Sequence, residues 1–234
     1  MSGHSKWATT HRQKAVVDAK RGAAFTKLGN MIAIAARGGT DPTTNSSLAL
    51  AIEKARAANM PNANIQRAID RINDKNAAAL EEAVYEGYGP GGVGIIIETA
   101  TDNKNRTYPE VRTALTKNGG TMADSGSVMF QFARKGVIRV AASGEEALLT
   151  VLDAGAEDAA EEDGGLTVYT DKKELAKVRE ALLAAGMTVE DAELQYVPNN
   201  TVAIEDDETA RKLTKIIDAL EVLDDVTNVA TNAA

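Results

Sequence analysis

A chain of 234 residues, 44% of them hydrophobic, is long for one compact unit, so we expect two or three domains. It contains no cysteine, which excludes a disulfide framework, a thiolate metal site and a cysteine nucleophile. No apolar run approaches the roughly eighteen residues of a membrane span, and the polar, basic start lacks the apolar core of a secretory signal, so we expect a soluble cytoplasmic protein.

The formal net charge of −8 is divided unevenly along the chain. Residues 1–76 hold 12 Lys and Arg against 5 Asp and Glu, a balance of +7, and the remaining residues hold 14 against 29, a balance of −15. A basic section beside an acidic one predicts contact with nucleic acid at the basic end, with the acidic part held away from phosphates by repulsion. An ordinary solvated helical face is the alternative interpretation.

The basic section predicts an arm and a bundle of three helices. Apolar residues recur at helical spacing over Ala23–Arg37, and Gly38-Gly39 ends that helix. Lys14 and Arg21 fall on the apolar side of a helical wheel, so we expect residues 1–22 to form a separate, loosely helical arm. Residues 23–79 then form the bundle, with further inward positions at Leu48, Ile52 and Ala55 and at Ile65, Ile69 and Ile72.

The arm is the predicted contact with nucleic acid. Trp7 is the only tryptophan and lies in a basic polar segment, where it suits stacking on a base or a ribose. The alternative is that Trp7 folds back onto the bundle. Cations and histidines around it suit phosphates. The predicted nucleic-acid-binding residues are His4, Lys6, Trp7, His11, Arg12, Lys14, Lys20, Arg21, Lys27 and Arg37.

From residue 80 onward strands alternate with helices. The first set is a strand over 93–101, a helix over 105–118 with Tyr108, Val111 and Leu115 inward, and a returning strand over 126–132. Its partner elements lie at the far end of the chain: a strand over 201–204, a helix over 208–223 and a strand over 226–230.

A second set of the same elements lies between these halves. It consists of strands over 137–140, 158–162, 166–170 and 192–197 and helices over 145–152 and 173–185. The order is the ferredoxin-like β-α-β-β-α-β arrangement. We therefore predict an α+β protein: the bundle, then one ferredoxin-like domain (residues 80–133 plus 201–234) into which a second (residues 134–200) is inserted. The predicted hinges are Ala133–Gly136 and Pro198–Asn200.

Three motifs that could carry chemistry have simpler explanations. Glu86–Gly94 formally contains G-x-G-x-x-G, but it precedes a strand, so it predicts a linker or a hairpin-like entry to the sheet. The acidic run Glu157–Asp163 lacks the register of an EF-hand and is interpreted as a solvated strand edge. His4 and His11 are the only histidines, too few for a three-ligand zinc site. We predict no metal, no cofactor and no enzymatic activity.

A second, weaker basic spot lies between the predicted strand 93–101 and the helix that follows. It consists of Asn103, Lys104, Asn105 and Arg106. Amides beside cations suit contact with RNA or phosphate, and a turn with a helix N-cap explains the same residues nearly as well.

A set of longer segments runs in order along nearly the whole chain. They are GHSKW at 3–7, DAKRG at 18–22, FTKL at 25–28, AARGGTDP at 35–42, NMPNANIQRAI at 59–69, EGYGPGGVG at 86–94, TDNKNRT at 101–107, GSV at 126–128 and GGLTVYTD at 164–171. Through them the chain resembles the YebC/PmpR family of bacterial transcriptional regulators, which has a mitochondrial relative that activates translation of a cytochrome oxidase subunit.

The resemblance implies three domains around a cleft and two different roles. One is binding of promoter DNA, which would make the protein a transcriptional regulator. The other is binding of ribosomal RNA on the ribosome, in a translation factor that relieves stalling at sequences such as proline runs. A small-molecule sensor that uses the paired α+β domains is a third class. We expect a monomer in solution, with no membrane partner.

Overall fold

The computed structural model describes residues 18–74, 78–162 and 164–234, with the side chains of residues 18–21 left out. Within these ranges the chain forms seven α-helices and eight strands. The helices are α1 Asp18–Ala36, α2 Ser46–Ala57, α3 Asn62–Asp70, α4 Lys104–Lys117, α5 Glu145–Asp153, α6 Leu175–Ala184 and α7 Asp207–Glu221. The strands are β1 Glu81–Tyr88, β2 Gly94–Thr101, β3 Thr121–Ala123, β4 Phe132–Val140, β5 Asp158–Glu162, β6 Gly165–Asp171, β7 Val189–Pro198 and β8 Val226–Thr231.

Helices α1 to α3 form the predicted bundle, because each places one apolar stripe in a shared core. The amide of Asn45 joins the first two helices. Its Oδ1 accepts a hydrogen bond from the Leu48 amide at 3.1 Å, which caps α2, and its Nδ2 donates to the Ala35 carbonyl at 2.8 Å. The buried core residues are Leu28, Ile32, Ala36, Leu48, Ile52, Ala55, Met60, Ile65 and Ile69.

Two details of the bundle differ from the sequence-based prediction. Gly22, the predicted end of the arm, lies inside α1, which already includes Asp18. Ile72 is 40% exposed, because α3 ends at Asp70 and the 3₁₀ turn Arg71–Asn73 that follows changes the helical spacing and rotates its side chain outward.

The first sheet has the strand order β3-β1-β2-β8 and is antiparallel throughout. Helices α4 and α7 cover one face, where Ile95 and Ile97 are fully buried. Ile96 points to the opposite face, where it packs with Val128 and Phe132. The glycine-rich segment is the turn of the β1–β2 hairpin, closed by a 2.7 Å hydrogen bond from the Gly89 amide to the Val93 carbonyl.

The first sheet differs from the predicted ferredoxin-like order. Strand β1 was not predicted, and residues 201–204 form only one isolated parallel bridge, between Val202 and Ala233. The returning strand predicted over residues 126–132 is instead a turn and a 3₁₀ helix, Met129–Gln131, because a buried carboxylate binds the backbone amides there. Tyr108 is 43% exposed, since α4 buries Val111 and Leu115 but turns Tyr108 to the side.

The second sheet has the order β5-β6-β4-β7, which is the ferredoxin-like order, with α5 and α6 packed on one face. The acidic run supplies β5, an edge strand, as expected for a solvated strand edge. The predicted hinge Ala133–Gly136 lies inside β4, which pairs with β7 along its length. The passage between the sheets is therefore the loop before β4, and the domain boundaries themselves stay a prediction.

The bundle and both sheets meet at an open cleft of about 740 Å³. Lys54 lines it from the bundle, Glu98 from the first sheet, and Arg134, Lys172 and Tyr196 from the second. The prediction of an α+β protein is confirmed by two antiparallel sheets combined with seven helices in the described chain.

Candidate nucleic-acid interface

Most of the predicted nucleic-acid-binding residues lie outside the described part of the chain. This group is His4, Lys6, Trp7, His11, Arg12 and Lys14. Lys20 and Arg21 lie within α1, in the stretch whose side chains are not described. Their role in binding stays a prediction.

Lys27 uses its ammonium group within the protein. Its Nζ donates a hydrogen bond to the Glu221 carbonyl, at the end of α7. Burial lowers the pKa of Lys27, and the nearby charges of Glu221 and Asp224 offset that effect only in part. The side chain therefore joins the bundle to α7 more than it faces solvent.

Arg37 is exposed, but its guanidinium also has a protein acceptor. It donates to the Leu80 carbonyl at 3.1 Å, across the connection between the bundle and β1. A nucleic-acid phosphate would have to share this group with the backbone.

The second basic spot forms the start of α4. Asn103 is the N-cap of α4, and its Oδ1 accepts a hydrogen bond from the Arg106 backbone amide at 3.2 Å. This is the contact expected of a helix N-cap. Lys104 pairs with Glu81 at 2.6 Å, and that pair raises the pKa of Lys104. Asn105 is exposed.

Arg106 pairs with a buried carboxylate, Asp225. One nitrogen of Arg106 lies 2.8 Å from Asp225 Oδ2, and the hydroxyls of Thr107 and Thr101 donate to the same oxygen at 2.6 and 3.0 Å. Burial raises the pKa of Asp225, but the hydrogen bonds from Thr107, Arg106 and Thr101 outweigh it, so the pKa lies below its ordinary value. This cluster fixes α4 against the start of β8.

Two arginines of the bundle that were not singled out from the sequence are differently placed. Arg56, in the last turn of α2, and Arg67, on α3, are exposed, and their guanidinium groups make no hydrogen bond or ion pair to another described residue. By contrast, Lys54 pairs with Glu193, and Arg71 lies 3.6 Å from Asp102.

Arg56 lines a hollow of about 330 Å³ between α2 and α3. Polar side chains contribute much of its wall, among them Thr40, Asn62, Gln66 and Asn73. The hollow offers a cation beside amides and a hydroxyl, which are groups that contact phosphates and sugars, and it also contains the Asp70 carboxylate, which accepts from Gln66 Nε2 at 2.9 Å. Residues 52 and 56 of α2 and residues 62, 66 and 69 of α3 have helical spacing, which marks the sides of the two helices that face each other. Only the turn at Asn59, with φ of 60°, brings them together.

Metal-binding clusters and membrane-spanning helices are both absent from the described ranges. There, no group of three His, Asp or Glu side chains is placed to hold a metal ion. No helix among the described residues is both long and apolar enough to cross a membrane.

The architecture thus combines a helical unit bearing unpaired arginines with two antiparallel α+β units. Residues 5–75 match the model of the TACO1/YebC protein N-terminal domain, and residues 80–233 match that of the TACO1/YebC second and third domain. The chain belongs to the TACO1/YebC family, which confirms the resemblance seen in its segments.

Similar proteins cover the chain almost completely. One from Moorella thermoacetica is 51% identical over 240 residues, covering 100% of this chain and 95% of the relative. One from Treponema denticola is 51% identical over 237 residues, covering 99% and 96%. Both are named "Probable transcriptional regulatory protein". The crystal structure of a conserved hypothetical protein from Aquifex aeolicus superposes with a TM-score of 0.89 at 44% identity, covering 95% of this chain and 93% of that one.

Proposed function

We propose that this protein is a nucleic-acid-binding regulator of gene expression, acting as a transcriptional regulator that binds DNA through its basic N-terminal section. The observation that carries the proposal is the placement of Arg56 and Arg67, two exposed arginines without a partner in the described structure. The names of its relatives support regulation of transcription.

The uneven distribution of charge along the chain supports a defined orientation of the protein as it approaches nucleic acid. Residues 1–76 carry +7 and the remainder −15, so the field of the protein turns the bundle toward phosphates and the sheets away from them. The residues proposed to bind are those predicted from the arm, together with Arg56 and Arg67. Binding of this kind requires no catalytic group, and we propose that the protein is not an enzyme.

A second candidate function is binding of ribosomal RNA by a translation factor. The observation in its favour is the shape around Arg56, a polar hollow between two short helices. A reader of the major groove presents a helix that protrudes into the groove, whereas RNA binders contact irregular, unpaired regions.

One pair of measurements separates the two functions. Duplex DNA binding and co-sedimentation with ribosomes would both be measured at physiological salt. Duplex binding without co-sedimentation supports the DNA-binding regulator, and co-sedimentation without duplex binding contradicts it in favour of the translation factor. Failure of both would overturn the proposal of nucleic-acid binding.

The contribution of the arm is measured through salt dependence. Each cation that neutralises a duplex phosphate contributes about 0.9 to the slope of log affinity against log salt. Joint replacement by glutamine should flatten this slope and leave the fold intact, and an unchanged slope would remove the arm from the proposed interface. The residues to replace are Lys6, Arg12, Lys14, Lys20 and Arg21.

A further inference from the structure

Phe130 has the most exposed side chain among the large hydrophobic residues of the described structure. Its ring is 73% exposed, although the chain has only three phenylalanines and 4% aromatic residues. It lies in the middle of the 3₁₀ helix Met129–Gln131, between the two sheets. A residue that is 73% exposed removes little apolar surface from water, so its position contributes little to the stability of the fold.

Hydrogen bonds to a buried carboxylate hold the backbone of the loop that carries Phe130. Glu86 is 3% exposed and accepts hydrogen bonds from the amides of Gly126, Val128 and Met129 at 2.6, 2.7 and 2.8 Å. Charge-assisted hydrogen bonds of this kind are stronger than those between neutral groups. Val128 is fully buried against the first sheet.

Two asparagines fix the other side of the loop. The Asn199 amide donates to the Gln131 carbonyl at 2.8 Å, and Asn199 Nδ2 donates to the Phe130 carbonyl at 3.3 Å. Asn232 Nδ2 donates to the Gln131 side chain at 2.8 Å. With its backbone held from both sides, the loop presents the Phe130 ring to solvent in a defined position.

The surroundings of the ring indicate what it contacts. Ser125, Asn199 and Asn200 are exposed, polar and uncharged, and Asn199 contacts the Phe130 backbone, whereas Asp124, at the start of the same loop, is exposed and acidic. No second exposed large hydrophobic residue lies within residues 124–131 or 198–201, so an apolar protein side chain would find no patch to cover there. A flat ring beside amides matches the groups that bind unpaired bases, which stack on aromatic rings and use hydrogen bonds along their edges.

We propose that Phe130 is a stacking platform for one unpaired base of a single-stranded nucleic acid, with Asn199 and Asn200 beside it as hydrogen-bonding groups. The inference rests on the proposed function, because binding to phosphates is left to the basic N-terminal section. The loop itself brings no cation to the ring. Stacking on Phe130 therefore increases the affinity for single strands over duplexes and does not add to the salt dependence of binding.

The experiment uses the full chain and fluorescein-labelled 12-mers of oligouridylate, oligodeoxythymidylate and a matched DNA duplex. Phe130→Ala should weaken binding of both single strands by about fivefold to a hundredfold, the range measured when a stacking ring is removed. Duplex binding and the salt slope should stay unchanged, since the ring neutralises no phosphate. Phe130→Trp should restore single-strand binding.

Val222→Ala is the matched control, because Val222 is 64% exposed and lies at the C-terminal end of α7. It should leave binding of all three probes unchanged. Circular dichroism and thermal unfolding of each variant verify the fold.

The outcomes separate this inference from the proposed function. If the wild-type protein binds the probes and Phe130→Ala binds them equally well, the stacking platform is wrong while nucleic-acid binding stands. If Phe130→Ala instead loses only co-sedimentation with ribosomes, the ring contacts a ribosomal surface and not an unpaired base of a free single strand, and the inference is overturned. If the wild-type protein binds no nucleic acid, both proposals fail.

Discussion

Among the cations of the bundle and of the start of α4, two sets look alike in the sequence. Lys27, Arg37 and Arg106 form the engaged set, because each donates to a carbonyl or carboxylate of the protein itself. Arg56 and Arg67 form the open set, exposed and without a partner in the described structure.

The difference teaches that local positive charge alone does not identify a binding surface. What decides is whether the fold supplies an acceptor for each cation, and the acceptors come from distant parts of the chain. Lys27 meets the carbonyl of Glu221, and Arg106 meets the carboxylate of Asp225. Changes in the engaged set should therefore act on stability, and changes in the open set on binding.

The largest loss of stability is expected at Asp225, the buried carboxylate that pairs with Arg106 of the engaged set. Asp225→Ala removes a carboxylate whose side chain is 8% exposed and leaves Thr101, Thr107 and Arg106 without their shared acceptor. The free energy of unfolding should fall by about 2–4 kcal/mol, because two buried hydroxyls lose their acceptor while Arg106, 48% exposed, can be solvated. Urea denaturation checks this. Asp225→Asn, which keeps the shape and one acceptor oxygen, should lose less, and equal losses would show that the negative charge alone carries the stabilisation. A loss below about 1 kcal/mol for Asp225→Ala would contradict the assigned role.

Glu86 is a negatively charged counterpart of the engaged set, because its carboxylate binds amides of the protein itself. Glu86→Gln should lower the free energy of unfolding by about 1–3 kcal/mol at neutral pH, since a neutral amide is a weaker acceptor for three backbone amides. Burial raises the pKa of Glu86, but those three hydrogen bonds outweigh it and the pKa is lowered.

The sign of the pH dependence follows from that lowered pKa. The ionised carboxylate stabilises the fold at pH above its pKa in the unfolded chain, and this contribution is lost as the pH falls through its pKa in the folded protein. The difference in stability between wild type and Glu86→Gln should therefore shrink on acidification. A difference that grows instead would contradict the assigned role.

The success of sequence reasoning differed between the two sheets for a physical reason. Strand β6 contains Leu, Thr, Val and Tyr, which favour strands, and the Gly164-Gly165 turn signal places β5 directly before it, so residues 158–162 and 166–170 are predicted almost to the residue. Strand β1 has the sequence EEAVYEGY, whose acidic residues and glycine give weak strand propensity. Its pairing with β2 and β3 stabilises it, and pairing is not local information.

The candidate site, like the fold, could be predicted from the sequence only where neighbouring residues determine it. The sequence located the basic section and the asparagine cap of α4. It could not show that Lys27 would meet α7, because the acceptor lies 194 residues away. Nor could it show the hollow beside Arg56, which depends on how α2 and α3 pack.

The open set gives a sharper test through binding. Arg56→Gln with Arg67→Gln should lower the slope of log affinity against log salt by about 0.9 for each arginine that contacts a duplex phosphate. The free energy of unfolding should change by less than about 0.5 kcal/mol, as expected for surface positions. Fluorescence anisotropy over a salt series gives the slope. Arg106→Gln is the control from the engaged set, and it should reduce stability without changing the slope.

The smallest effect is expected at an ion pair that joins the two sheets. Arg134 of β4 pairs with Glu98 of β2, and its guanidinium lies 4.8 Å from the centre of the Tyr196 ring. Both charged side chains are partly exposed, at 32% and 13%, so water weakens their attraction. A double-mutant cycle with Arg134→Met and Glu98→Gln should give a coupling energy of about 0.5–1 kcal/mol. Salt should reduce this coupling. Because the pair lies in the cleft, Arg134→Met should leave duplex binding by the bundle unchanged. A loss of duplex affinity in Arg134→Met would show that an arginine with a partner in the protein also binds nucleic acid, and would extend the interface into the cleft.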